Sequence, residues 1–224
     1  MSTKNLISTL TLSALTALPI LTANAEEIVY EAAFDTMEPG TAVGEPYKTR
    51  ARGENTAILA MAPKGEASKN WIFVKDVDVN EKVYLVSDIS PTESGTLSFR
   101  LFYPSASATV GIYLRNSELP KSDNNVVEFK SLETSGNIYV GVNGVRQKLP
   151  VSVGGAEFLS FDIEFSATDA GEKVDVFIKD TSGRHLIHSA TSEQGNFVDT
   201  LMITTDTNTE SSEFYVGDIV IKKS

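Results

Sequence analysis

The 224-residue chain carries 30 acidic against 19 basic residues, a formal net charge of −11, and no cysteine. Such a surface repels nucleic acid and anionic lipid at long range, so neither is expected as a general partner. Without disulfides, stability must come from a packed core or from a core and a bound metal.

Lys4, the apolar run from Leu6 to Leu21 and the small residues of "TANA" ending at Ala25 have the layout of a secretory signal peptide. The run is too short and too rich in Ser and Thr for a retained membrane span. A lipid anchor would need a cysteine. Cleavage after Ala25 leaves residues 26–224 as one domain, secreted or periplasmic, with 18 basic and 30 acidic residues and a net charge of −12. No membrane insertion is expected, and nothing in the chain sets an oligomeric state.

From there the chain reads as short alternating runs punctuated by Gly, Pro, Asn, Asp and Ser. These predict strands over 28–34, 56–61, 71–75, 82–87, 96–103, 109–115, 126–132, 137–142, 157–165, 173–180, 185–189, 198–204 and 213–222. No stretch beyond the leader keeps a 3.6-residue apolar period, so helix should be nearly absent. The fold class is therefore all-β, a two-sheet antiparallel sandwich or barrel.

Three hairpins can be registered from the apolar pattern. Phe99 against Leu114 and Leu101 against Ile112 sets Arg100 opposite Tyr113 and Ser98 opposite Arg115 on the other face. Val127 against Val140 sets Glu128 opposite Tyr139 and Lys130 opposite Asn137. Phe161, Ile163 and Phe165 match Ile178, Val176 and Val174, which leaves Asp162, Glu164 and Asp175 on a solvated outer surface. In the closing "EFYVGDIVIKKS" the alternation breaks at Gly217, as a β-bulge would make it.

"YEAAFDTMEPGTAVG", "KVYLVSDIS" with "GTLSFRLFYP" and "ATVGIYLRN", and the closing "FYVGDIVI" resemble the concanavalin A-like, laminin G-like jelly rolls of bacteria. The resemblance spans nearly the whole mature chain through strand order and punctuation, without a diagnostic motif. It implies a jelly-roll β-sandwich of the kind that serves as a carbohydrate-binding module beside polysaccharide-degrading enzymes. It also implies a structural calcium near the first and last strands, for which Asp35 and Asp218 are the best matches.

The residues narrow the chemistry. His185 and His188 are three apart, which on a regular strand sends them to opposite faces and precludes a two-histidine metal site. No G-x-S-x-G elbow and no glycine-rich phosphate loop is present. "FDIEF" offers Asp162 and Glu164 on one face, without the third acid of the jelly-roll glycosidase strand. A polysaccharide lyase needs a carboxylate neutraliser and a base such as Tyr. Those residue types are here, but the R-x-E-x-R and Q-I-H strands of the jelly-roll alginate lyases are not.

The expected site is the polar face carrying Arg100, Tyr113, Arg115, Glu128, Lys130, Asn137 and Tyr139. Tyrosine rings suit the C–H faces of sugars, and arginine suits a planar carboxylate. The expectation is a protein that binds a polysaccharide, with an anionic, uronate-containing one preferred, without chemistry of its own. Alternatives are a lyase acting on a uronate polymer by β-elimination and, third, a structural or adhesive surface protein. An ordinary solvent-facing sheet would show a similar residue mix.

Overall fold

The computed structural model describes residues 26–224 apart from 33, 35–36, 62, 64–69, 79, 105–108, 122, 132–134, 153 and 206–211. Its strands are β1 (Glu27–Glu31), β2 (Lys48–Arg50), β3 (Thr56–Met61), β4 (Asn70–Asp76), β5 (Tyr84–Thr92), β6 (Ser94–Tyr103), β7 (Gly111–Arg115) and β8 (Asn125–Ser131). They continue with β9 (Asn137–Val142), β10 (Val145–Ser152), β11 (Glu157–Thr168), β12 (Gly171–Asp180), β13 (Gly183–Ser192), β14 (Val198–Thr204) and β15 (Ser212–Lys223). No helix occurs among the described residues. All thirteen predicted strands are present; β2 and β10 are additional.

The strands form two antiparallel sheets. The first runs β13-β12-β11-β6-β15-β4-β3, with β1 pairing the end of β15, and the second runs β10-β9-β8-β7-β14-β5-β2. Alternate residues of each strand turn inward. Leu97, Phe99, Leu101, Phe161 and Ile163 from the first sheet meet Ile112, Leu114, Phe129, Val140 and Leu201 from the second, each at most 1% exposed. Phe129 packs against Phe99 and Phe161 across the interface, at ring-centroid distances of 5.0 and 4.9 Å. Burying side chains of this size contributes roughly 1.5 to 3 kcal/mol each, which is how a chain without disulfides holds two sheets together.

The predicted pairing of β11 with β12 holds residue for residue, with Phe161 opposite Ile178 and Glu164 opposite Asp175. β8 and β9 do pair, but two residues out of the expected register, with Lys130 opposite Tyr139 and Glu128 opposite Gly141. A shift of two preserves every face. The expected hairpin between 97–103 and 109–115 is not formed. β6 pairs with β11 and β15, whereas β7 pairs with β8 and β14 in the other sheet. Both strands turn their apolar residues to one core, and stacking across that core satisfies the alternation as well as pairing would.

The bulge at Gly217 is present. The β15 register skips between Gly217 and Val220, and Asp218 takes φ +51°. A Cβ on Gly217 would come within 2.6 Å of the Trp71 indole, so glycine leaves the space the ring occupies. A second bulge corrects the histidine expectation. The register of β13 skips at Ile187, which sets His188 opposite Val176 and His185 opposite Ile178, on one face. His185 Nε2 instead meets Ser182 Oγ at 2.8 Å, and no group of three or more His, Asp or Glu side chains among the described residues could hold a metal.

Candidate functional site

The structure brings six of the seven expected site residues to one surface. Tyr113 and Arg115 on β7, Glu128 and Lys130 on β8, and Asn137 and Tyr139 on β9 lie on adjacent strands and share the outer face of the second sheet. Arg100 does not join them. It lies on the outer face of the first sheet, on the opposite side of the sandwich from Tyr113, because β6 and β7 belong to different sheets. Its guanidinium is 3.4 Å from Asp218 and stands over the rings of Trp71 and Phe158 at 5.3 and 5.6 Å.

Asp35 lies outside the described residues. Asp218 lies 3.4 Å from the Arg100 guanidinium.

The first sheet's outer face is electrically closed. Lys179 and Arg184 reach Asp162 at 2.7 and 2.9 Å, Arg184 also reaches Glu164 at 2.6 Å, and Lys173 reaches Asp175 at 2.7 Å. Burial alone would raise the Asp162 carboxyl. Hydrogen bonds from Lys179 and Ser98, with the charge of Lys179, more than reverse this and hold it below the usual carboxylate range. "FDIEF" is thus part of an ionic lattice.

The second sheet's outer face is different. One cross-strand row passes from Met202 to Tyr113, Glu128, Gly141 and Arg146. Tyr113 is 4% and Glu128 2% exposed although both turn outward, so a layer of longer side chains stands over the middle of this sheet. Arg146 Nη2 lies 2.6 Å from Glu128 Oε1, a charge contact rather than an aligned hydrogen bond, and Gly141 keeps the space beside that carboxylate open. The next row passes from Gly111 to Lys130, Tyr139 and Lys148.

Arg115 stands at the edge of these rows. Its Nε and Nη2 both donate to Asn124 Oδ1, at 3.1 and 2.6 Å, and Nη1 donates to Met202 Sδ at 3.4 Å. No carboxylate among the described residues is within ion-pair reach of it. Burial pulls the guanidinium below its ordinary pKa, and the neighbouring Tyr113 opposes that shift. Arg115 is therefore a desolvated, permanently charged group aimed by neutral partners. Counting all charged residues on β7 to β10, Arg115, Lys130, Arg146 and Lys148 face one acid, Glu128, a local excess of three positive charges in a chain of −11.

Arg146, Lys148, Asn124 and Met202 are not among the residues expected from the sequence. The first two lie on β10, whose signal was in plain view. Asn143 and Gly144, both with positive φ (46° and 84°), form a two-residue turn between the valine-bearing runs 137–142 and 145–152. Asn-Gly between alternating runs is the strongest short-range hairpin signal.

No protein-family model matches this sequence, and no curated protein matches it. Solved structures do. A sialidase superposes with a TM-score of 0.66 at 10% identity over 88% of this chain, which spans 19% of the sialidase chain. A transglycosylase in its apo form superposes with a TM-score of 0.56 at 12% identity, covering 89% of this chain and 87% of that one. A cellulose-induced protein gives 0.55 at 11% identity, covering 87% and 97%. The fold is a two-sheet antiparallel jelly-roll β-sandwich. Identities this low carry the fold and nothing finer.

Proposed function

We propose that this protein is an exported, non-catalytic binder of an anionic polysaccharide, which it grips on the outer face of the second sheet. The observation that carries this is Arg115, a half-buried guanidinium held in place by Asn124 and Met202, within a positive patch on an otherwise acidic protein. A sugar carboxylate is the planar anion that a guanidinium fork binds best. Lys130 and Tyr139, directly opposite each other, supply a second charge and a half-exposed ring beside it. Names among the solved neighbours, a sialidase and a transglycosylase, support a glycan ligand.

The same face lacks the acids for glycoside hydrolysis. β7, β8 and β9 hold one acid between them, Glu128, whereas glycoside hydrolysis needs a carboxyl pair, roughly 5 to 9.5 Å apart. Of the two tyrosines on this face that a lyase could use as its base, Tyr113 is 4% exposed, which leaves Tyr139, opposite Lys130, as the residue to test.

The test is binding of the purified protein to uronate polymers and neutral glucans by affinity electrophoresis, with ultraviolet absorbance following unsaturated products. Retardation by uronates alone, lost in Arg115→Ala at unchanged melting temperature, is expected. Equal retardation by neutral glucans, or none by any uronate, would overturn the anionic reading. A steady rise in absorbance abolished by Tyr113→Phe or Tyr139→Phe would replace binding with β-elimination.

A further inference from the structure

The row through Lys130 and Tyr139 does not stop at β7. From Gly111 it continues to Thr204 on β14, Tyr84 on β5 and Arg50 on β2, each directly opposite the next. In the other direction it ends at Lys148 on β10. One uninterrupted row therefore crosses all seven strands, and at about 4.8 Å per strand its six steps span about 29 Å.

Its ends resemble each other. At one, Arg50 stands over the half-exposed Tyr84 ring, 5.8 Å from its centroid, while its Nη2 shares Glu81 at 2.9 Å. At the other, Lys148 flanks the half-exposed Tyr139. Between them Thr204 is 3% exposed, and its Oγ1 has no hydrogen-bond partner among the described residues. Gly111 contributes no side chain of its own, and the Tyr113 ring lies over it as a floor.

Resting on the anionic-glycan reading above, we infer that Tyr84 and Arg50 form a distal subsite, so that the face takes an internal stretch of about six sugars from a ribbon-shaped anionic polymer. Tyr84 and Tyr139 are four strands apart, about 19 Å. A β-1,4-linked pyranose chain advances close to one strand spacing per sugar, which puts four sugar steps between the two rings. In a two-fold ribbon, successive sugars turn opposite faces to a surface, so rings that stack on one surface must be an even number of sugars apart. Four steps meet that condition. A chain that winds away from two-fold symmetry brings the second sugar to the second ring in the wrong orientation.

The experiment is calorimetric titration of the purified protein with oligo-β-1,4-glucuronates and oligo-α-1,4-galacturonates of two to eight sugars. Affinity for the glucuronates is expected to climb to the hexasaccharide, by roughly tenfold over the tetrasaccharide, and then level. Tyr84→Ala, at unchanged melting temperature, should remove that last climb and leave the tetrasaccharide affinity as it was. Levelling at the tetrasaccharide in the unmutated protein, an unaltered climb in Tyr84→Ala, or an equal profile with galacturonates would overturn the distal subsite or the ribbon while leaving anionic binding intact. Failure of every oligouronate to bind would remove the anionic reading together with this one.

Discussion

The Tyr113 ring rests on Gly111. A β-carbon at that glycine would fall 2.5 Å from Tyr113 Cε2 and 2.8 Å from its hydroxyl oxygen, well inside contact distance. The two residues are neighbours on one face of β7, and the missing side chain at 111 lets the ring lie along the strand as the floor of the site.

Gly111→Ala should therefore push the ring out of place. Overpacking of this kind costs about 1 to 3 kcal/mol, and uronate binding should weaken with it because Arg115 packs beside the same ring. Tyr113→Ala removes the collision. In a double-mutant cycle the second change should add little to the first. Additive losses in urea melts would show that the ring does not sit where this contact places it.

Arg100→Ala should separate the two faces of the sandwich. The residue carries an ion pair with Asp218 and two ring contacts on the first sheet, so its loss should cost about 1 to 2 kcal/mol of stability. Uronate affinity should not change. A large drop in affinity at intact stability would mean that the ligand reaches the first sheet.

Gly217→Ala probes the bulge beneath Arg100. The added methyl meets the Trp71 indole at 2.6 Å, and Trp71 is 1% exposed, with no room to retreat. A loss of about 1 to 3 kcal/mol is expected, read as a lower midpoint in denaturant at unchanged m-value. An unchanged midpoint would mean that the indole swings aside.

Strands and faces were legible in the sequence because alternation reports which residues turn inward, and a shift of two in β8 against β9 leaves that untouched. The partner of each strand was less legible. The short turn 168–171 fixes β11 on β12 to the residue. The longer connection after Tyr103 carries the chain from one sheet to the other, and the apolar pattern is indifferent to that step, because Phe99 and Ile112 face the same core either way. That step alone separates Arg100 on β6 from Tyr113 on β7. At the far end of the row Tyr84 falls in the expected strand 82–87, but Arg50 has no sequence signature, since β2 is three residues of exposed "KTR".

Glu172 gives the chain a pH dependence that can be worked out in sign. It lies at the start of β12, 1% exposed; the Asn196 N–H donates to its Oε2 at 3.2 Å, and Oε1 has no partner among the described residues. Burial pushes its pKa up from 4.5 to about 7, the Asn196 bond opposing, with no charged neighbour contributing. Below pH 4.5 the carboxyl is protonated in both the folded and unfolded chain, and it contributes no slope. Between pH 4.5 and about 7 the unfolded chain releases the proton first, so stability falls as pH rises, by about 3 kcal/mol in all, and above 7 the penalty is constant. Glu172→Gln keeps an acceptor for Asn196 and cannot ionise. The stability difference between variant and parent, from denaturant melts at a series of pH values, should therefore be flat below pH 4.5, grow in the variant's favour up to about 7, and stay flat beyond. A difference that does not change with pH would mean that Glu172 titrates alike in both states.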